Sequence, residues 1–151
     1  GIYIAIEGSA QFISFAKNLV KLLGARYFII RSEQKVIYHL LCVFASNYIL
    51  TYFALMDKMI TKAVLPENWF EIIQPLLEKT LNDARKKSYM SLTGPITRFD
   101  TETIQKHIKA IKKDETILQL YKILGNAAAE ISCRNGDLTK QQLQKLKRIL
   151  E

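Results

Sequence analysis

The sequence predicts a mainly α-helical domain that follows a short strand–helix–strand unit. The first observation is a long apolar run: residues 36–56 contain no Asp, Glu, Lys or Arg and a single histidine, His39. The second is that the later segments repeat apolar residues at helical spacing. The third is that six glycines and three prolines in 151 residues are too few for a many-turned β-sandwich. The apolar run looks like one long central helix, Glu33–Lys62, on which the other elements pack.

Composition narrows the class of protein. With 49% hydrophobic and 24% charged residues, the chain is an ordinary globular one, long enough for one sizeable core. Its net charge of +8 is spread along the sequence, and no basic–aromatic strip or zinc-finger spacing accompanies it, so we expect no nucleic-acid partner. Cys42 and Cys133 are too few and too far apart for a disulfide scaffold or a metal site, and we expect Cys42 to be a small buried residue. With no recognisable signal peptide, we expect a cytoplasmic protein.

The first 31 residues predict a parallel strand–helix–strand unit. Ile2–Ile6 is rich in β-formers, Ser9 suits an N-cap, and Ala10–Leu23 has helical periodicity that ends at Gly24. Tyr27–Ile30 then reads as the second strand. Because two strands make a poor sheet alone, and because the sequence starts within a strand, we expect the edge of a larger sheet in a longer protein.

The central helix has three possible environments. Ser32 is a suitable N-cap, and the helix should end near residues 63–65. About 20 apolar residues are enough to cross a bilayer. His39, Ser46, Asn47 and Thr51 interrupt the run, however, so we favour the centre of a helical domain or a dimer interface, and no membrane.

Four further helices are predicted. The first opens near Pro66 and runs to about Arg85, with Pro75 inside it; an irregular stretch, Ser88–Phe99, follows. The other three are a helix over Thr101–Lys112 capped by Asp100, one over about Asp114–Ser132, and one that Thr139 caps and that ends at Leu150. In the helix over 114–132 the periodicity predicts that the inward residues are Ile117, Leu120, Tyr121, Leu124, Ala128 and Ile131.

A line of polar side chains on the central helix is the first candidate site. Lys35, His39, Ser46 and Asp57 fall within roughly 40° of one line along a helix, and Asn47 lies about 80° from His39. An imidazole is the natural general acid or base near neutral pH, and Ser46 and Asn47 could position a carbonyl or hydroxyl. The alternative is that His39 and Asn47 are satisfied core groups that fix helix packing.

The loop Leu92–Asp100 is the second candidate site. Gly94 allows close backbone approach, Thr93 offers a hydroxyl, and Arg98 could grip a carboxylate or phosphate through its fork. The alternative is that Arg98 pairs with Asp100 and stiffens the turn. The chain has no GxGxxG, P-loop, GxSxG or HExxH motif, so it shows no cofactor or metal site of its own.

Several motifs together resemble a known family. These are IEGS near the start, LLGAR before the second strand, Tyr38-His39 followed by Ala45-Ser46-Asn47, Gln74-Pro75-Leu76, and LTGPITRFD. They look like the C-terminal domain, itself a domain of unknown function, of a bacterial family of Rossmann-like NAD(P)-dependent oxidoreductases. The resemblance covers residues 2 to about 132.

The resemblance implies a helical domain similar to the C-terminal domains of 6-phosphogluconate dehydrogenase, ketopantoate reductase and pyrroline-5-carboxylate reductase. Residues 1–31 are then the end of a missing N-terminal Rossmann domain, and residues 32–151 form the helical C-terminal domain. NADP or NAD would bind to the missing domain, so this chain alone should not transfer hydride. The helical domain would form a homodimer and bind the small-molecule substrate. Those relatives often carry a catalytic lysine followed one turn later by asparagine, whereas Lys35 is followed by His39 here.

On this reading His39 and Asn47 are the candidate catalytic residues, and Ser46, Thr93, Arg98 and Lys35 are candidate substrate-binding residues. The alternative from another class is a non-catalytic dimeric scaffold or small-molecule-binding module on a dehydrogenase-like fold.

Overall fold

The computed structural model describes residues 1–87, 90 and 92–151 and confirms a mainly helical chain with a short parallel sheet at its start. Ser88, Tyr89 and Ser91 of the expected irregular stretch lie outside the described residues. The described elements are β1 (Tyr3–Ile6), α1 (Ala10–Leu22), β2 (Arg26–Ile29), α2 (Lys35–Ala45), α3 (Asn47–Ala63), α4 (Trp69–Lys87), α5 (Thr101–Ile111), α6 (Glu115–Asn135) and α7 (Lys140–Leu150). They divide into two compact units, Gly1–Met59 and Ile60–Glu151.

The first unit begins with the predicted strand–helix–strand arrangement. β1 and β2 pair in parallel, with Tyr3 opposite Arg26 and Ile6 opposite Ile29. The Ser9 hydroxyl accepts a hydrogen bond from the Phe12 amide, as expected of the cap of α1. α1 packs on one face of the sheet through a small core of Ile6, Ala16 and Val20.

The central helical run occupies Ser32–Ala63 but contains a break. A single 3₁₀ turn, Ser32–Gln34, precedes α2, so Ser32 is not the N-cap: Arg31 occupies that position in the turn and Gln34 occupies it in α2. At Ser46 the backbone leaves helical geometry (φ −129°, ψ −71°) before α3 resumes. The prediction of one uninterrupted helix was therefore wrong at Ser46, and the prediction that Cys42 is buried was also wrong, since its side chain is exposed.

The second unit has its own core, built around α5, α6 and α7. Six buried residues form it: Ile96, Ile104, Ala129, Leu138, Leu146 and Leu150. Asp100 caps α5, and Thr139 caps α7 in a capping box with Gln142, as the sequence predicts. Gly136 ends α6 in the left-handed conformation at φ +88°.

α4 starts three residues later than predicted. It begins at Trp69 rather than at Pro66, because the Asn68 carbonyl accepts the first hydrogen bonds, from the amides of Glu71 and Ile72. Pro75 lies inside α4, as the sequence indicates. The large apolar residues of this helix are mostly exposed within the chain.

Candidate functional site

A charged cluster lies at the carboxyl end of β1. The Glu7 carboxylate directly follows the strand, accepts a hydrogen bond from the Ser32 hydroxyl and forms an ion pair with the Lys35 ammonium. The hydrogen bond from Lys35, followed by that from Ser32, lowers the pKa of Glu7. The cluster therefore joins the end of the first strand to the start of α2 and partly neutralises Lys35.

His39 lies one helical turn after Lys35 and is exposed on α2. The Ser46 hydroxyl donates a 2.7 Å hydrogen bond to the Cys42 carbonyl and also lies 3.2 Å from the Asn47 side-chain oxygen. Thr51 makes a similar local bond, to the Asn47 carbonyl at 3.0 Å. Hydroxyl groups of this kind compete for helical carbonyls, which fits the break at Ser46.

The loop at residues 92–100 is held firmly in the second unit. Ile96 is buried in the core, and the Thr97 hydroxyl lies 3.1 Å from the hydroxyl of the fully buried Ser132. The Arg98 amide donates to the Gly94 carbonyl at 3.1 Å, and the Asp100 amide donates to the Pro95 carbonyl at 2.8 Å. The side chains of Thr93 and Arg98 remain exposed on this rigid support.

Asp100 and Phe99 complete the loop. Both side-chain oxygens of Asp100 accept hydrogen bonds from Thr103, one from its hydroxyl at 2.7 Å and one from its amide at 3.0 Å. These bonds, and to a smaller extent the charge of Arg98, lower the pKa of Asp100. Phe99 has a positive φ of +54°, which is strained for an aromatic residue.

The six predicted site residues fall into two groups. Lys35, His39, Ser46 and Asn47 lie along the central run and all belong to the first unit, whereas Thr93 and Arg98 lie in the second. Their assignment as site residues stays a prediction. Sequence reasoning missed Glu7 as a partner of Lys35; the available signal was its position directly after a buried parallel strand, where such sheets bind ligands.

Two further features concern metal binding and the apolar helical run. Among the described residues, no group of three or more His, Cys, Asp or Glu side chains is placed to hold a metal ion. The run Ser32–Ala63 is long and apolar enough to cross a membrane by length and composition. Core helices of soluble proteins also pass this test, but they are mostly buried, whereas the apolar window of this run is 0% buried within the chain.

Comparison with known proteins defines the class. Residues 2–128 match the family model described as "Domain of unknown function (DUF2520)". The chain therefore belongs to this family. No curated protein matches the sequence.

A solved structure adds an oxidoreductase context. The chain is similar to a crystal structure from Bacteroides fragilis described as a "putative NADP oxidoreductase", with 27% sequence identity and a TM-score of 0.69. The match covers 82% of this chain and 47% of that chain, so this chain spans about half the length of that protein. The architecture is accordingly that of a dehydrogenase-like helical domain preceded by a strand–helix–strand start.

Proposed function

We propose that the chain is the dimerising, substrate-binding part of an NAD(P)-dependent oxidoreductase whose nucleotide-binding domain lies outside this sequence. The observation that carries the proposal is the match to the Bacteroides structure at 27% identity over most of this chain but less than half of that one. In this proposal the division falls at residue 31: residues 1–31 are the last part of a Rossmann sheet and residues 32–151 the helical domain. The whole protein binds NADP or NAD, and the chain alone transfers no hydride.

The proposed dimer interface is the apolar surface of α2 and α3. Nine large apolar residues there are exposed within the chain: Val36, Ile37, Leu40, Leu41, Phe44, Tyr48, Ile49, Leu50 and Tyr52. Monomeric soluble proteins rarely leave so many contiguous apolar side chains in water. Permanent homodimers bury such surfaces against a second copy, which is the occupant we propose instead of a lipid bilayer. The location that we propose for this dimer is the cytoplasm.

The proposed chemistry is divided among the predicted residues. His39 acts as general acid or base, and Asn47 assists at the reacting group, because an imidazole can hold or release a proton near neutral pH. Ser46, Thr93 and Arg98 position the substrate. Lys35 is a weaker candidate for binding substrate because Glu7 already pairs with it.

A second candidate function is a non-catalytic dimeric scaffold or small-molecule-binding module. The local hydrogen bonds of Ser46 favour it, since a hydroxyl already bonded to the Cys42 carbonyl serves the helix break without any substrate. In this alternative His39 and Asn47 also have structural roles. Substitution of His39 separates the two candidates.

Light scattering of the purified chain tests the dimer. We expect a species of twice the chain mass of 17.4 kDa. Leu50→Glu on α3 should convert the dimer to a monomer, whereas Leu81→Glu on α4, at the same 67% exposure, is the matched control and should leave it intact. A wild-type monomer would refute dimerisation through the chain.

The oxidoreductase proposal is tested on the whole protein that contains this chain. We expect NADPH or NADH to bind it and to be oxidised when a substrate is supplied. The variant His39→Ala should still bind the nucleotide but lose turnover, and circular dichroism should show it folded. Absence of nucleotide binding would favour the scaffold. Unchanged turnover in the variant would remove His39 from the mechanism.

A further inference from the structure

The outer face of α7 is a basic surface that the proposed function does not use. Five residues, Lys140, Gln141, Gln144, Lys145 and Arg148, line a shallow cleft of about 410 Å³ along this helix. Its inner face carries Leu146 and Leu150, which are buried in the core of the second unit. α7 also lies beyond residues 2–128, the part that matches the family model.

The cations of this cleft differ from three other lysines of the second unit. Lys62, Lys106 and Lys147 each pair with a carboxylate, of Asp114, Glu102 and Glu130 respectively. Lys140, Lys145 and Arg148, by contrast, form no ion pair with any carboxylate in the part of the chain that the structure describes. Three positive charges and two side-chain amides therefore face water without a counter-charge among the residues lining the cleft.

Lys145 connects this surface to the loop that carries Arg98. The Lys145 ammonium lies 5.6 Å from the centre of the Phe99 ring, within cation–π distance. Phe99 follows Arg98 directly, and its left-handed backbone is a strained conformation that the loop maintains. Such strain persists only where the surrounding structure enforces it, and strained positions cluster at ligand-binding sites.

We infer that α7 and the Arg98 loop together bind an oxyanion, either a phosphate or a carboxylate group of the substrate. The Arg98 fork supplies two parallel donors, and Lys145 supplies a point charge near the ring of Phe99, the residue that follows Arg98. Lys140 and Arg148 lie eight residues apart, about 12 Å along the helix, so the surface accommodates a second anionic group. The Asp100 carboxylate, the nearest acid in sequence, is engaged by Thr103. This anion site rests on the proposed function and gives the chemical class of its substrate.

The test uses the chain itself and defined anions. Chemical shifts of ¹⁵N-labelled chain are followed during titration with inorganic pyrophosphate, and separately with succinate, at constant ionic strength. We expect saturable shifts at Arg98 and on α7. Stronger binding of pyrophosphate assigns a phosphate-bearing ligand, and stronger binding of succinate assigns a carboxylate.

Charge-matched variants give the controls. Arg98→Gln and Lys145→Gln should each weaken binding about tenfold, as expected for loss of one charge-assisted bond. Lys112→Gln, which removes the same charge at the exposed end of α5, should have no effect. Equal weakening by all three variants, or no saturable shift with either anion, would overturn the inference. Nucleotide binding by the whole protein is measured separately, so failure here is distinguishable from failure of the proposed function.

Discussion

Gly125 on α6 offers a test of the packing between the last two helices. A Cβ added at Gly125 would lie 3.1 Å from both terminal methyl carbons of Leu150. Ordinary carbon–carbon contacts are about 3.5–4.0 Å, so Leu150 would have to move by several tenths of an ångström. Leu150 is only 1% exposed, and Lys122 bonds the carbonyl of the adjacent Glu151 at 2.6 Å, which restrains that movement.

Two opposing effects determine how much Gly125→Ala changes the free energy of unfolding. Alanine is more favourable than glycine within a helix by about 1 kcal/mol. Overpacking a tight core costs about 1–3 kcal/mol. The overpacking term should win, so Gly125→Ala should lower the free energy of unfolding by about 1 kcal/mol.

The effect of Gly125→Ala on the free energy of unfolding should change sign when Leu150 is replaced by alanine. Leu150→Ala alone should cost about 2–5 kcal/mol, as is usual for a buried leucine. In that background the clash is gone, and Gly125→Ala should raise the free energy of unfolding by about 1 kcal/mol through helix propensity. The coupling energy between the two positions is then about 2 kcal/mol.

Urea unfolding followed by circular dichroism at 222 nm measures the four proteins of this cycle. All are compared at one protein concentration, because any association would contribute to apparent stability. If Gly125→Ala changes the free energy of unfolding in the same direction with Leu150 and with Ala at position 150, the packing argument is refuted.

Three further predictions concern stability. Ser132→Ala should lower the free energy of unfolding by about 1–2 kcal/mol in urea titrations, because the Thr97 hydroxyl loses its buried partner; an unchanged midpoint would contradict this. Gly136→Ala should cost about 1–2 kcal/mol by the same measurement, since alanine must adopt φ +88° with no neighbouring atom to clash. The ion pair with Lys35 lowers the pKa of Glu7 in the folded chain. The pair should therefore stabilise the fold fully above the ordinary pKa of a carboxyl group, and this stabilisation should be lost as pH falls through the lowered pKa. Glu7→Gln should accordingly flatten the acid side of the stability–pH curve, and an unchanged curve would show that the pair contributes nothing.

Helix ends were predictable because their signals are local. Ser9, Asp100, Thr139 and Gly24 act at their helix ends as expected, since a cap needs only the next three amides or the preceding carbonyls. The break at Ser46 was not predictable from periodicity, because apolar residues continue on both sides of it.

The contact face of α6 shows why burial was harder to predict. Leu124 was expected to point inward but is exposed, whereas Gly125, Ala129 and Ser132 are buried. The absence of a side chain at Gly125 leaves room for Leu150 of α7, and a search for large apolar side chains overlooks such small residues. The Glu7–Lys35 pair joins residues 28 positions apart, so it depends on the parallel pairing of the strands rather than on any local motif.

The exposed apolar run Ser32–Ala63 has a consequence for biosynthesis. Synthesis proceeds from the N-terminus, so this run leaves the ribosome before the helices that form the core around Leu146 have been made. The second unit completes its core from its own residues, whereas nine large apolar side chains of α2 and α3 are exposed within the chain. In the proposed dimer these side chains are made early but are covered only when two chains meet, so their period of exposure lengthens as the concentration of newly made chains falls.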